Sequence, residues 1–204
     1  ECVNIYCYAY DVGGFVGSMD GHNDYFNCYS TGAVSAHTAM YLSDAGGFAG
    51  DSSCCGHNTF VNCYSTGGIV NSAEAGGFMG VASQADRFMN CYTASEITPH
   101  PAYYYEYWTA SFIGCRNSYM LHNVSVDNCF VIDSKLPLIN SYDGVVNVER
   151  EGLELLEVDF EDSIAVKAMV NSLNEYCGTM YDKYGYEVKA WERSDDAIGP
   201  VIVE

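Results

Sequence analysis

Short apolar and aromatic runs recur through the first two-thirds of the chain, each closed by small polar residues or glycine. Tyr25–Tyr29, Thr59–Tyr64 and Arg87–Tyr92 end at Thr-Gly or Thr-Ala-Ser. Runs of this length bounded by turn residues read as strands. Ala33-Val34 and Gly68-Ile69-Val70 follow two of them as brief further strands. After Ser134 the pattern changes. Leu136–Ile139 and Gly144–Val148 read as strands, and Ser163 to about Tyr176 reads as a helix. Ile164, Ala168, Met169 and Leu173 give that helix an apolar stripe. Asp162 or Ser163 is placed to cap its start, and Gly178 suits its end. Glu187–Arg193 and Pro200–Val203 read as two last strands.

The runs are parts of a repeat. One phrase reads Gly13-Gly14-Phe15-Val16-Gly17, Gly46-Gly47-Phe48-Ala49-Gly50 and Gly76-Gly77-Phe78-Met79-Gly80, with a decayed copy at Ser111-Phe112-Ile113-Gly114. A second reads Asn27-Cys28-Tyr29-Ser30-Thr31-Gly32, Asn62-Cys63-Tyr64-Ser65-Thr66-Gly67, Asn90-Cys91-Tyr92-Thr93 and Asn128-Cys129-Phe130, and Tyr6-Cys7-Tyr8 reads as a remnant of an earlier copy. From Phe to Cys the separations are 13, 15, 13 and 17 residues, while Cys to Cys runs 35, 28 and 38. A steady core with variable connectors is the signature of solenoid coils carrying loops of different length.

Stacking identical strands in register places like residues about 4.8 Å apart. Phe15, Phe48, Phe78 and Phe112 are then expected in one internal column, and Cys28, Cys63, Cys91 and Cys129 in another. Asn27, Asn62, Asn90 and Asn128 are expected to form an amide ladder. Neighbouring residues of a strand point to opposite faces, so Asn and Cys cannot both point inward. Cys is assigned to the interior and Asn to a corner.

These phrases resemble the GLUG repeat family, whose units combine GG-hydrophobic-x-G with N-C-Y-x-T-G. The resemblance covers roughly residues 4–133, with degraded first and fourth units and an insertion after Thr98. It implies a right-handed parallel β-helix, mainly all-β, in an extracellular bacterial protein, cell-surface or secreted, as in adhesins and the accessory regions of immunoglobulin A proteases. It transfers no catalytic residue. The expected division is a repeat solenoid over 1–134 and an α+β region over 135–204 that caps the open end, where strand edges would otherwise be bare.

Composition narrows the function. With 8 Lys plus Arg against 27 Asp plus Glu, the formal net charge is −19, which disfavours nucleic-acid phosphates and anionic membranes. No stretch approaches the roughly 18 apolar residues of a membrane span. Glu1-Cys2-Val3 opens inside a repeat-like segment without a signal peptide, so the chain is read as part of a longer protein.

Candidate chemistry is sparse. His22, His37, His57, His100 and His122 show no His-Glu-x-x-His and no paired zinc spacing, and they read as solvated loop residues. The Cys of the second phrase are read as stacked free thiols, which pack as small apolar groups. Cys54-Cys55 leave disulfide connectivity open, with Cys2, Cys115 and Cys177 as alternative partners. Asp20-Gly21-His22-Asn23-Asp24 has the look of a calcium loop but lacks the remaining ligands, so no metal or other cofactor is assigned. Asp11, Asp20, Asp24, Asp44 and Asp51 are assigned to turns. The candidate binding residues are Tyr103, Tyr104, Tyr105, Tyr107 and Trp108 in the insertion, because amphipathic rings suit sugars and protein partners. The expected function is a noncatalytic surface module, for adhesion or spacing, contacting a glycan or a host protein. The alternatives are an accessory region of a secreted peptidase and a polysaccharide-cleaving β-helix.

Overall fold

In a computed structural model, residues 5–7, 11–36, 44–52, 57–72, 74–82, 85–99, 108–116, 124–141, 144–145, 153–195 and 197–203 are described. The chain is mainly β, and its principal strands pair in parallel, in register, rung upon rung, as in a parallel β-helix. Sheet 1 stacks Ile5–Cys7, Val34–Ala36, Ile69–Ser72 and Ile97–Pro99, and sheet 2 stacks Asp11–Gly13, Asp44–Gly46, Glu74–Gly76 and Thr109–Ala110. Sheet 3 stacks Val16–Ser18, Ala49–Asp51, Met79–Ala82 and Ile113–Arg116. In sheet 4, Asp24–Phe26, Thr59–Val61 and Arg87–Met89 run alongside Tyr29–Ser30, Tyr64–Ser65 and Tyr92–Thr93, and both series join Ser125–Ile132.

A left-handed residue explains why sheet 4 is split. Asn27, Asn62, Asn90 and Asn128 have φ between 50° and 57°. That conformation costs other L residues about 1–2 kcal/mol, and asparagine tolerates it best after glycine. The run read as one strand from Thr59 to Tyr64 is therefore two strands bent at Asn62. The bend also breaks strict alternation. Cys63, Cys91 and Cys129 point into the core, whereas Asn sits at the corner and Tyr on the outer face.

The core is aromatic. Phe15, Phe48, Phe78 and Phe112 stack with centroids 4.8, 4.9 and 5.2 Å apart. A second column, which the sequence pattern did not single out, stacks Tyr25, Phe60 and Phe88 at 5.1 and 5.0 Å. The columns meet edge to face, as at Phe78 and Phe88 (5.6 Å, 89°), the arrangement that ring quadrupoles favour. Phe15 closes the column at its first rung and is 46% exposed. The paired glycines bring sheets 2 and 3 together. A Cβ on Gly46 would strike the Ala49 carbonyl oxygen, and one on Gly47 would crowd the hydroxyls of Ser95 and Ser65.

Register corrects one boundary. Ile5–Cys7 pairs with Val34–Ala36, so Tyr6-Cys7-Tyr8 is not an earlier copy of the Asn-Cys-Tyr phrase; it follows the position of that phrase. The stack also continues past Ser134. The Phe112 amide donates to Leu138 O as Phe78 donates to Phe112 O, and Leu153–Val158 adds a parallel strand beside Ser125–Ile132. Leu155 takes the rung after Cys129. Expected strands at Leu136–Ile139 and Gly144–Val148 reduce to a bridge at Ile139 and an antiparallel pair, Asn140–Ser141 with Gly144–Val145; residues 146–148 lie outside the described ones.

The helix runs from Ser163 to Tyr184, beyond the expected end near Tyr176. Asp162 caps it by accepting from the Ile164 and Ala165 amides, and Gly185 ends it at φ 73°. Gly178, placed at the end by the sequence, is inside it. The roughly 1 kcal/mol glycine penalty is outweighed because Tyr176, Met180 and Tyr184 pack on Phe26, Val61 and Met89. The buried stripe is Val166, Met169, Leu173 and Met180, whereas Ile164 and Ala168 are exposed. The helix lies along the outer flank of sheet 4. Trp191–Arg193 and Pro200–Ile202 then pair antiparallel, with Trp191 against Tyr64 and Tyr92.

Candidate functional site

Most residues singled out by the repeat are occupied by the stack. Each Asn amide of the ladder donates to the carbonyl oxygen of the rung before it: Asn62 to Asn27 (2.7 Å), Asn90 to Asn62 (2.8 Å) and Asn128 to Asn90 (2.7 Å). The C-terminal segment fastens to the same ladder. Ser172 Oγ donates to Asn128 Oδ1 (2.7 Å), and the Lys189 amide donates to Asn27 Oδ1 (2.9 Å). Asn90 Nδ2 reaches Leu173 O (3.1 Å), and Trp191 Nε1 donates to Asn62 Oδ1.

The thiols are likewise consumed. Cys28, Cys63, Cys91, Cys129 and Cys177 are free, so Cys177 is not a disulfide partner; Cys2, Cys54 and Cys55 lie outside the described residues. Cys63 and Cys91 donate to backbone carbonyls at 3.3–3.5 Å. Burial pushes both well above the ordinary thiol range, which leaves little thiolate to act as nucleophile or metal ligand. The Asp20–Asp24 segment is also committed. Asn23 Nδ2 donates to Asp20 O (3.1 Å) and to Asn58 Oδ1 (2.9 Å), and Asn58 Nδ2 donates to the buried Asp86 (3.0 Å). This second polar ladder went unnoticed in the sequence because its third member is Asp, not Asn.

What the stack does not absorb is a column of acids on sheet 2. Asp11, Asp44 and Glu74 are register partners on successive rungs. Asp51, the last residue of its sheet 3 strand, completes the group: carboxylate oxygens of Asp11, Asp44 and Asp51 lie within 4.8 Å of one another. The assignment of Asp11, Asp24, Asp44 and Asp51 to turns is therefore corrected, since all four lie in strands. Their juxtaposition was hidden in the sequence because connectors of unequal length separate the rungs.

Like charges at rung spacing cannot all ionise. Asp44 is pushed up to about 9, first by burial and then by the charge and hydrogen bond of Glu74. Burial also raises Glu74, and its hydrogen bond with Asp44 opposes that rise, so the pair favours retaining one shared proton. Asp11 is raised by burial and by Asp51. Such a group can hold a proton between carboxyls, donate or accept one, or offer oxygen ligands to a hard cation.

The acid column leads to Trp108. Ala75 pairs with Thr109, so Trp108 follows Glu74 as the next residue of the column. Trp108 is half-buried at this point; Tyr103, Tyr104, Tyr105 and Tyr107 lie outside the described residues. Compared with protein-family models, curated proteins and solved structures, the chain matches none.

Proposed function

We propose that this chain is a noncatalytic extracellular module of a bacterial surface protein, a right-handed β-helix of the GLUG type that displays a binding edge to a glycan or host protein. One observation carries the reading. The ladder residues are spent on stacking, while the acid column and the root of the aromatic insertion meet on one edge, where Trp108 follows Asp11, Asp44 and Glu74. Flat rings beside hydrogen-bonding carboxyls are a combination that suits sugar hydroxyls and ring faces. The C-terminal segment serves as a cap and clasp of the array. Among the described residues no helix is long and apolar enough to cross a membrane.

A glycan array with the native chain and a Tyr104→Ala/Trp108→Ala variant tests this. Binding that disappears in the variant supports the edge. Unchanged binding removes the aromatic insertion from the reading, and no binding by the native chain favours a spacer. The acid column gives a second reading, a polysaccharide-cleaving β-helix, some standing, because paired carboxyls with a raised pKa suit acid–base work. Release of reducing sugar from a polysaccharide panel, lost in Asp44→Asn, would select it. The third reading, an accessory region of a secreted peptidase, is decided by a peptidase motif in flanking sequence.

A further inference from the structure

Two imidazoles far apart in sequence are neighbours on the surface. His22 and His57 are both exposed, and their rings stack with centroids 4.7 Å apart and planes 8° from parallel. The loops that carry them are tied together. The His57 amide donates to Gly21 O (3.1 Å), and Gly21 turns the chain at φ 84°. The Asn23–Asn58–Asp86 ladder lies directly beside the pair, and the Thr59 amide donates to Asn23 O (2.8 Å). Two nitrogen donors are thus held on adjacent rungs by backbone bonds and by the side-chain amides of Asn23 and Asn58. Arg87 N donates to Asn58 O, so Ala85 stands next in the His column and the ladder of rings stops at two.

We infer that His22 and His57 form a two-imidazole chelate for a divalent copper, nickel or zinc ion. Neutral imidazole is a preferred ligand of these borderline ions, and copper binds nitrogen sites most tightly of the three. Metal–nitrogen bonds of about 2.0–2.1 Å require the two donor atoms to approach about 3 Å. The rings must therefore lean together from their stacked spacing, and their exposure permits it. Water fills the remaining positions, so the site is open. The proposal does not depend on the function proposed above.

Copper(II) titration followed by electron paramagnetic resonance provides the test. The native chain should bind one ion with the signature of two imidazole nitrogens. His22→Gln or His57→Gln should leave one imidazole and weaken binding roughly 100-fold, the loss expected when a chelating partner is removed. A His37→Gln/His100→Gln/His122→Gln variant should keep both nitrogens. An unchanged signature in His22→Gln overturns the assignment. So does a carboxylate-only signal that vanishes in Asp44→Asn, or the absence of bound copper at one equivalent. Both His side chains are exposed, and melting curves without metal should match the native chain.

Discussion

Asn27, Asn62, Asn90 and Asn128 on sheet 4, and Asp11, Asp44 and Glu74 on sheet 2, are placed by the same rule. Each set repeats one kind of side chain at the spacing of a parallel sheet, with opposite consequences. An amide carries donor and acceptor together, so each rung satisfies the next and the ladder gains a bond per coil. A carboxylate offers only acceptors and a charge, so each added rung raises the cost until a proton is retained. Stacking rewards a self-complementary group and penalises any other. The acid column is where this fold holds a local conflict, and such conflicts concentrate at functional positions.

The largest effect should come from the core that both columns depend on. Phe78→Ala removes a fully buried ring between Phe48 and Phe112 and should cost about 3–5 kcal/mol in urea unfolding. A cost below that range would mean the columns collapse around the gap. Next, Asn62→Ala should cost about 3 kcal/mol, since it takes the acceptor from Trp191 Nε1 and leaves the Asn90 amide one acceptor short, with only Leu173 O and Cys177 Sγ remaining. Asn62→Gly should cost about 1 kcal/mol less, because glycine accepts the left-handed bend. Equal costs would show that the amide alone matters.

Asp44→Asn should act in the opposite direction. A folded-state pKa of about 9 against an ordinary 3.8 means the folded chain favours the protonated acid. That contribution is fully present below about pH 4 and is lost as pH rises toward 9. Asparagine mimics the neutral form at every pH. The variant should therefore be more stable than the native chain at pH 8, with a gain that grows with pH between about 4 and 9 and vanishes near pH 4. Thermal melts across that range that stay parallel would break the contrast between the columns. The smallest change is Ser172→Ala, which removes the hydroxyl donating to Asn128 at the last amide rung and should cost about 1 kcal/mol.

The repeat was legible because stacking demands like residues at like positions. The Gly-Gly-Phe and Asn-Cys-Tyr phrases thereby announced parallel coils and their aromatic column. Helix capping by Asp162 was also legible, being local. The end of the helix was not, since Gly178 obeys packing on Val61 and Met89 rather than its own propensity. Nor was the strand Leu153–Val158, which owes its place to the open edge of Ser125–Ile132. The aromatic insertion was visible as a composition, but that its last residue, Trp108, follows the acid column depends on register.

The sequence by itself determined that this chain is a stack of parallel strands, because periodic side chains at solenoid spacing have few other ways to be buried. Only the tertiary structure decided which acids and which histidines become neighbours. Connectors of unequal length separate Asp11 from Asp44 and His22 from His57, and the hydrogen-bonded register of the rungs brings each pair together.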